Sequence, residues 1–310
     1  MTLTIFTAPK PFTNPHVATI QRNALQSWLH LGSDVDVIML GDEAGMPEVA
    51  AEYGVRHIRE VAVSSYGTPL ISSIFELARK ATDNPLLAYV NADILVLPDF
   101  VQTAKQVAEQ AGNFLIIGQR WDLDVSELLD FSPGWEERLQ ARGKSDGKLH
   151  VSRGSDYFIF PSYCFTQVPD FAVGRSMWDN WMIYYALKSK WATVDATGTA
   201  TVIHQNHDYS HLPGGLPHYR QPETQNNIRL AGGKRRAMYI SDANFQLVNG
   251  KLTSPPFTWQ RLLRSIEVFP VLKMDSYFLA QVFFAIYHPA RAFRKTRRWI
   301  KRQLRRLLKR

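Results

Sequence analysis

The 310-residue chain contains one cysteine and carries a formal net charge of +8. That length buries a sizeable core without covalent staples, and the single Cys164 excludes an intramolecular disulfide framework, which suits a reducing compartment. Eleven of the 36 basic residues lie in 291–310, a stretch with no acid, so residues 1–290 hold 25 basic against 28 acidic residues, a balance of −3. The basic pI belongs to a tail, and no nucleic-acid-binding body is expected.

The opening MTLTIFTAPKPF has neither a positive n-region nor a long apolar segment, so no secretory leader is expected and the chain is read as facing the cytosol. Strand-like and helical runs then alternate, the pattern of βα units and a mostly parallel sheet. LTIFTA (3–8) predicts a strand, and 15–31 a helix with Pro15 at its start and Gly32 past its end. VDVIMLG (35–41) predicts the next strand, ending at Asp42; MPEVAAEYG predicts a short helix, VRHI a strand, and 68–84 a longer helix opened by Thr68 and Pro69.

LLAYVNADILVLPDF is unusual, because an apolar run is interrupted by Asn91 and Asp93 before resuming. An unpaired buried carboxylate is costly, so such an acid belongs at a strand exit or beside a partner. A helix over 98–112 and a strand within NFLIIGQRWDLD (113–124) follow. Asp42, Asp93 and Arg120 thereby fall at the downstream ends of three predicted strands, the edge where open α/β sheets bind ligands. The second half is less regular: a short helix and polar loop over 133–156, a strand YFIFP, a helix over 175–190, a strand over 191–197, then TVIHQNHDYSHLPGG and a helix-like ETQNNIRLAGG. Neither GxGxxG nor GxxxxGK[ST] occurs, which argues against dinucleotide and NTPase folds.

YVNADILVLPDF, RGSDYFIFP, VGRSMWDNWMIYYAL and VIHQNHDYSH, in that order, resemble a nucleotide-sugar-dependent glycosyltransferase of the GT-A fold, over roughly residues 3–211. Asn91-Ala-Asp93 takes the place of the usual DxD motif. The resemblance implies an α/β, GT-A-like catalytic domain, read over 1–250; by residue pattern a helical extension over 251–290 and a basic amphipathic tail over 291–310 follow it. The resemblance also implies Mn²⁺ or Mg²⁺ held by Asp93 with His204, bridging a donor diphosphate. Asn91 in the first motif position lowers the local negative charge; its amide can meet a ribose hydroxyl or the metal.

Arg120 and Arg175 suit diphosphate contacts through bidentate bonds, or serve as surface ion-pair partners. Asp42 is read as a ribose or base contact, or an ordinary strand-end acid. By the same resemblance Asp179 is the base that deprotonates an acceptor hydroxyl if configuration inverts, although an Asp at a helix start is also favoured by the peptide dipoles. Asp156 competes for the base role or orients the sugar or acceptor, and His207 and Asp208 are read as acceptor-binding. Trp178 and Trp181, at helical spacing, read as core.

In the tail, Phe293, Ile300, Leu304, Leu307 and Leu308 form an approximate apolar stripe among cations, with Trp299 beside it. A helix of that pattern lies on an anionic membrane surface, which implies a peripheral protein on a cytoplasmic face and a lipid-linked or surface-glycan acceptor. YFLAQVFFAIY (277–287) is too short to span a bilayer and is expected inside protein or at an interface. Two rival readings stand beside transfer: a sugar nucleotidyltransferase, and a membrane-surface adaptor without catalysis.

Overall fold

The computed structural model describes residues 1–207, 221–294 and 297. Strand β1 (Leu3–Thr7) leads through helix α1 (Pro15–Leu29), strand β2 (Val35–Leu40), helix α2 (Met46–Tyr53) and strand β3 (Arg56–Ile58) to helix α3 (Ile71–Lys80). Strands β4 (Leu86–Val90) and β5 (Ile94–Val96), helix α4 (Pro98–Ala108), and strands β6 (Phe114–Ile117) and β7 (Trp121–Leu123) follow. Next come helix α5 (Trp135–Asp146), strands β8 (Lys148–Leu149) and β9 (Tyr157–Pro161), helix α6 (Trp178–Lys188), and strands β10 (Ala192–Asp195) and β11 (Val202–Gln205). Helix α7 (Pro222–Leu230), strands β12 (Phe245–Val248) and β13 (Lys251–Thr253), and helices α8 (Trp259–Lys273) and α9 (Tyr277–Tyr287) complete the described elements.

Nine strands form one sheet in the order β13-β12-β10-β6-β9-β4-β1-β2-β3. Its neighbours run parallel except for β9, antiparallel to β4 and β6, and the edge strand β13. The fold is thus α/β with a large, mostly parallel sheet and flanking helices. Strands β1, β4, β6 and β9 are buried at every residue, as expected when helices cover both faces. In this core the Phe6 and Phe75 rings pack within 6.4 Å of each other and of both Tyr89 and Phe160, each phenylalanine worth roughly 1.5–3 kcal/mol when fully buried.

A second sheet, β5-β11-β7-β8, was not anticipated from the sequence. The apolar run 86–97 is two strands in two sheets, with Asn91–Asp93 as the corner between them. The run 113–124 divides the same way at Gly118, where a Cβ would overlap the Tyr157 hydroxyl and only glycine lets the chains approach so closely. Helix α3 starts at Ile71, three residues later than expected: Leu70 N–H donates to the Ala62 carbonyl and Thr68 Oγ1 to Glu223, so both are committed outside the helix. The expected helix over 175–190 starts at Trp178, after Met177 turns the chain with a φ of 99°.

The chain divides into two compact units, Met1–Pro255 and Pro256–Arg310. Both sheets lie in the first unit. In the second, α8 and α9 pack as a hairpin, α9 being capped by the Ser276 hydroxyl, which accepts from Leu279 N–H. Residues 289–294 are helical, but Trp299, Ile300, Leu304, Leu307 and Leu308 of the expected stripe lie outside the described residues, as does Asp208. Among the described residues no helix is long and apolar enough to cross a membrane.

Candidate active site and metal centre

Three times the chain leaves the large sheet for the small one: from β4 to β5, from β6 to β7 and from β10 to β11. Strand β11 pairs with both β5 and β7, so the three crossings converge. Their polar residues therefore meet: Asn91 and Asp93 from the first, Arg120 and Asp122 from the second, and His204 and His207 from the third.

Asp93, 7% exposed, stands at the centre. Its backbone is fixed from below by Gln205, whose main-chain N–H donates to the Asp93 carbonyl at 3.2 Å and whose side-chain amide donates to the same oxygen at 3.3 Å and to the Ile20 carbonyl at 2.7 Å. Asn23 of α1 in turn donates to the Gln205 amide oxygen at 3.0 Å. These buried groups are mutually satisfied, which makes the corner rigid.

The Asp93 carboxylate faces outward from this support. Its Oδ2 lies 3.2 Å from Lys10 Nζ and 3.1 Å from His207 Nε2, and those two nitrogens are 3.0 Å apart. Burial acts to raise this carboxyl, but the Lys10 charge, the His207 hydrogen bond and the nearby imidazoles outweigh it and hold it well below the usual carboxylate range. Asp93 is an anion at all physiological pH.

Asp93 Oδ1 is buried without a hydrogen-bond partner, and the buried His204 Nδ1 has only the Asp122 carboxylate near it, at 3.5 Å. Orphaned buried polar atoms are expensive and call for a ligand. Asp93, His204 and His207 each offer a ligand atom within 4.8 Å of the others, so these three residues could hold a metal ion. One carboxylate with two imidazoles is a mixed oxygen and nitrogen donor set that suits a divalent transition-metal ion; imidazole is compatible with Mn²⁺, although oxygen ligands dominate the usual sites of that ion. His207, expected at the acceptor, is instead drawn into the Asp93 cluster.

A second layer surrounds this centre. Asn91 donates from Nδ2 to Asp156 Oδ1 at 2.9 Å, and its backbone N–H donates to the Asp156 carbonyl at 2.9 Å. Arg120 donates to the other Asp156 oxygen and from Nε to Asp122 at 2.9 Å. Burial opposes the charge of Arg120, yet the two carboxylates dominate and keep its guanidinium firmly ionised. Asp122 also meets His150 Nδ1 at 2.6 Å and lies 3.5 Å from His204 Nδ1; against the effect of burial, His204, Arg120 and His150 hold it below the usual range. The Arg120 guanidinium is therefore a clamp between two acids.

Asp179 sits in the first turn of α6. Its Oδ1 accepts from Met177 N–H at 3.2 Å, across the left-handed turn that Met177 makes. Gly154 lies over it: a Cβ there would come within 3.2 Å of Asp179 Oδ2. Burial, with a further contribution from the charge of Asp156, pushes the Asp179 carboxyl up to about 6, against backbone hydrogen bonds that act to lower it. A carboxylate of that affinity is ionised at neutral pH and basic enough to accept a proton in a transition state.

The remaining expected residues stand apart in their contacts. Asp42, at the exit of β2, is exposed and ion-paired with Arg59. Arg175 is buried and donates to Glu223 at 3.0 Å and to Thr68 at 3.3 Å, so its guanidinium is engaged by α7. Trp178 and Trp181 are buried, Trp178 edge-on to Tyr89 at 5.1 Å, which bears out their assignment to the core. Lys10, Asp122 and His150 were missed by sequence reasoning. The acid in QRWDLD carried a usable signal, since it follows a strand as Asp93 does; Lys10, in a Pro-flanked loop after β1, carried none.

Several solved structures align with parts of this chain. The structure of Staphylococcus aureus TarS 1-349 in complex with UDP-GlcNAc aligns with a TM-score of 0.48 at 9% identity over 74% of this chain and 65% of that one. Two structures of glucosyl-3-phosphoglycerate synthase from Mycobacterium tuberculosis, one with Mg²⁺ and UDP and one with Mn²⁺, UDP-glucose and phosphoglyceric acid, each align with a TM-score of 0.47 at 14% identity. They cover 83% of this chain and 87% and 88% of theirs, respectively. Those proteins bind uridine nucleotides. The chain spans about two-thirds of the TarS fragment. No protein-family model matches the sequence, and no curated protein matches it.

Proposed function

We propose that the protein is a metal-assisted glycosyltransferase that moves a sugar from a nucleoside-diphosphate donor to an acceptor hydroxyl. The observation that carries this reading is a divalent-cation triad with an orphaned Asp93 oxygen, together with a carboxylate, Asp179, pushed up to about 6 by burial and by the charge of Asp156. Both are what transfer from a diphosphate donor requires. The GT-A resemblance of the motifs agrees.

In this reading Asp93, His204 and His207 would hold Mn²⁺ or Mg²⁺, which would supply positive charge against the donor diphosphate and the charge that develops on it as it leaves. Lys10 adds a positive charge beside Asp93, where a phosphate oxygen can reach it. Asp179 accepts the proton of the acceptor hydroxyl as its oxygen attacks the anomeric carbon, with inversion of configuration. Asp156 and Asn91 orient the donor sugar, and the Arg120 clamp holds Asp156 in place. Asp42 contacts the nucleoside, and Arg175 stabilises the loop that carries α6 rather than touching the diphosphate. The acceptor is a lipid-linked or surface glycan, the class of acceptor that attachment of the basic tail to an anionic cytoplasmic membrane face suits, and Asp208 is assigned to acceptor binding.

The test is a mass-spectrometric screen of the purified protein against UDP-, GDP- and dTDP-sugars with Mn²⁺, Mg²⁺ or EDTA. Release of one nucleoside diphosphate, dependent on a divalent cation, is the expected result. Absence of both turnover and nucleotide binding would overturn the reading.

A further inference from the structure

The second unit places apolar side chains where a water-facing protein rarely does. Helix α9, YFLAQVFFAIY, contains no charged residue and one amide, yet Ala280 is its only fully buried residue. A helix apolar on all sides belongs inside protein or in lipid. Its exposed residues Phe278, Val282 and Ile286 are spaced i, i+4, i+8, and Phe278 and Ile286 are 75% and 66% exposed. Helix α8 repeats the pattern with Trp259, Leu263, Ile266 and Phe269, a stripe about a third of the helix circumference wide.

The hairpin itself is held together. His288 Nε2 lies 3.3 Å from Glu267 Oε1, Arg264 donates to Glu267 Oε2 at 3.2 Å, and Ser276 N–H donates to the Pro270 carbonyl at 3.0 Å. Apolar exposure on a structured hairpin is a surface that awaits an occupant.

Charge identifies that occupant. The chain that continues from α9 carries eleven cations and no acid over 291–310, so the apolar residues and a strongly cationic segment are joined in sequence. A proteinaceous partner would need one patch both greasy and anionic, whereas the headgroup and acyl boundary of an anionic bilayer presents both within a few ångströms. With eleven residues, α9 is about 16 Å long, half of what spanning requires, so it lies in the interface plane.

We propose that the exposed α8–α9 face inserts into the headgroup boundary of an anionic membrane and supplies the apolar part of membrane attachment, the tail supplying the electrostatic part. This rests on the membrane-surface half of the function proposed above and adds to it a set of inserting residues. It makes attachment two-signal: charge recruits, and Trp259, Leu263, Phe278, Val282 and Ile286 retain.

The experiment is co-sedimentation of the full chain with vesicles of phosphatidylcholine containing about a third phosphatidylglycerol, at low salt and at about 1 M salt, where charge is screened within about 3 Å. Wild type is expected to stay partly bound at high salt. The Phe278→Ser/Val282→Ser/Ile286→Ser variant and, separately, the Trp259→Ser/Leu263→Ser variant are expected to partition about ten-fold or more weakly there, with unchanged far-ultraviolet circular dichroism. Undiminished high-salt binding by both variants would overturn the proposal. So would a wild-type dimer in vesicle-free buffer that the variants dissociate, which would assign the face to a second copy of the chain. Nucleotide binding read in the same samples separates failure of this inference from failure of the glycosyltransferase reading.

Discussion

Replacing Asp179 by asparagine separates a catalytic carboxylate from a helix-capping one by the sign of its effect on stability. Well below pH 3.8 the carboxyl is neutral in the folded and unfolded chain alike. Between 3.8 and about 6 the folded protein keeps a proton that the unfolded chain has released, so stability falls as pH rises through this window. Above pH 6 the folded state carries the charge at full cost, about 3 kcal/mol at 1.36 kcal/mol per pKa unit. The asparagine side chain would keep an oxygen for the Met177 N–H and carry no charge. Asp179→Asn should therefore stabilise the protein by about 2–3 kcal/mol at pH 8 and by almost nothing at pH 4, as read from urea unfolding midpoints, while turnover falls by at least about 100-fold. An Asp retained only to complement the helix dipole predicts the reverse, a loss of about 0.3–1 kcal/mol at pH 8. Destabilisation at pH 8 with turnover intact would refute the base assignment.

Other substitutions probe the surroundings. Asn91→Asp restores the usual motif acid but sets it against Asp156, with which Asn91 now shares a 2.9 Å bond; thermal unfolding should show a loss of about 1–2 kcal/mol at pH 7 that shrinks on acidification, and equal stability at both pH values would count against the like-charge explanation. Gly118→Ala should cost about 2–3 kcal/mol or more in chemical denaturation, because its methyl group collides with Tyr157 between two core strands; a neutral effect would mean that the strands separate easily there. Gly154→Ala should lower kcat with little change in stability, since its methyl group presses on Asp179 Oδ2 rather than on the core; unchanged kcat would place Asp179 away from the reacting atoms.

Much of the framework is legible in the sequence because parallel strands covered on both faces must read as short apolar runs, and those at 3–8, 35–41 and 86–90 do. The two-sheet arrangement is not, because a strand that crosses between sheets remains apolar on both sides of the corner; only the polar residues at Asn91 and Asp93 mark it. The β12–β13 hairpin had a readable sign that was overlooked. Asn249 and Gly250, both at positive φ, form the turn that an Asn-Gly pair favours between FQLV and KLT. The site divides in the same way. Asp93 and His204 could be nominated by their places after apolar strands, whereas the Asp93 contact with Lys10 joins positions 83 residues apart and the Arg175 pair with Glu223 joins positions 48 apart. Such long-range pairings depend on how the crossings converge, which no local pattern encodes.

The central claim, that the Asp93 triad holds a divalent cation for work on a nucleotide sugar, is tested most directly by titrating Mn²⁺ into the full chain with and without UDP, followed by electron paramagnetic resonance. The account predicts one bound Mn²⁺ per chain, tighter with UDP present, and its loss in Asp93→Ala and His204→Ala while urea unfolding shows both variants still folded. Wild-type Mn²⁺ binding in those variants, or no UDP-linked binding in the wild type together with no response to GDP or dTDP, would contradict it.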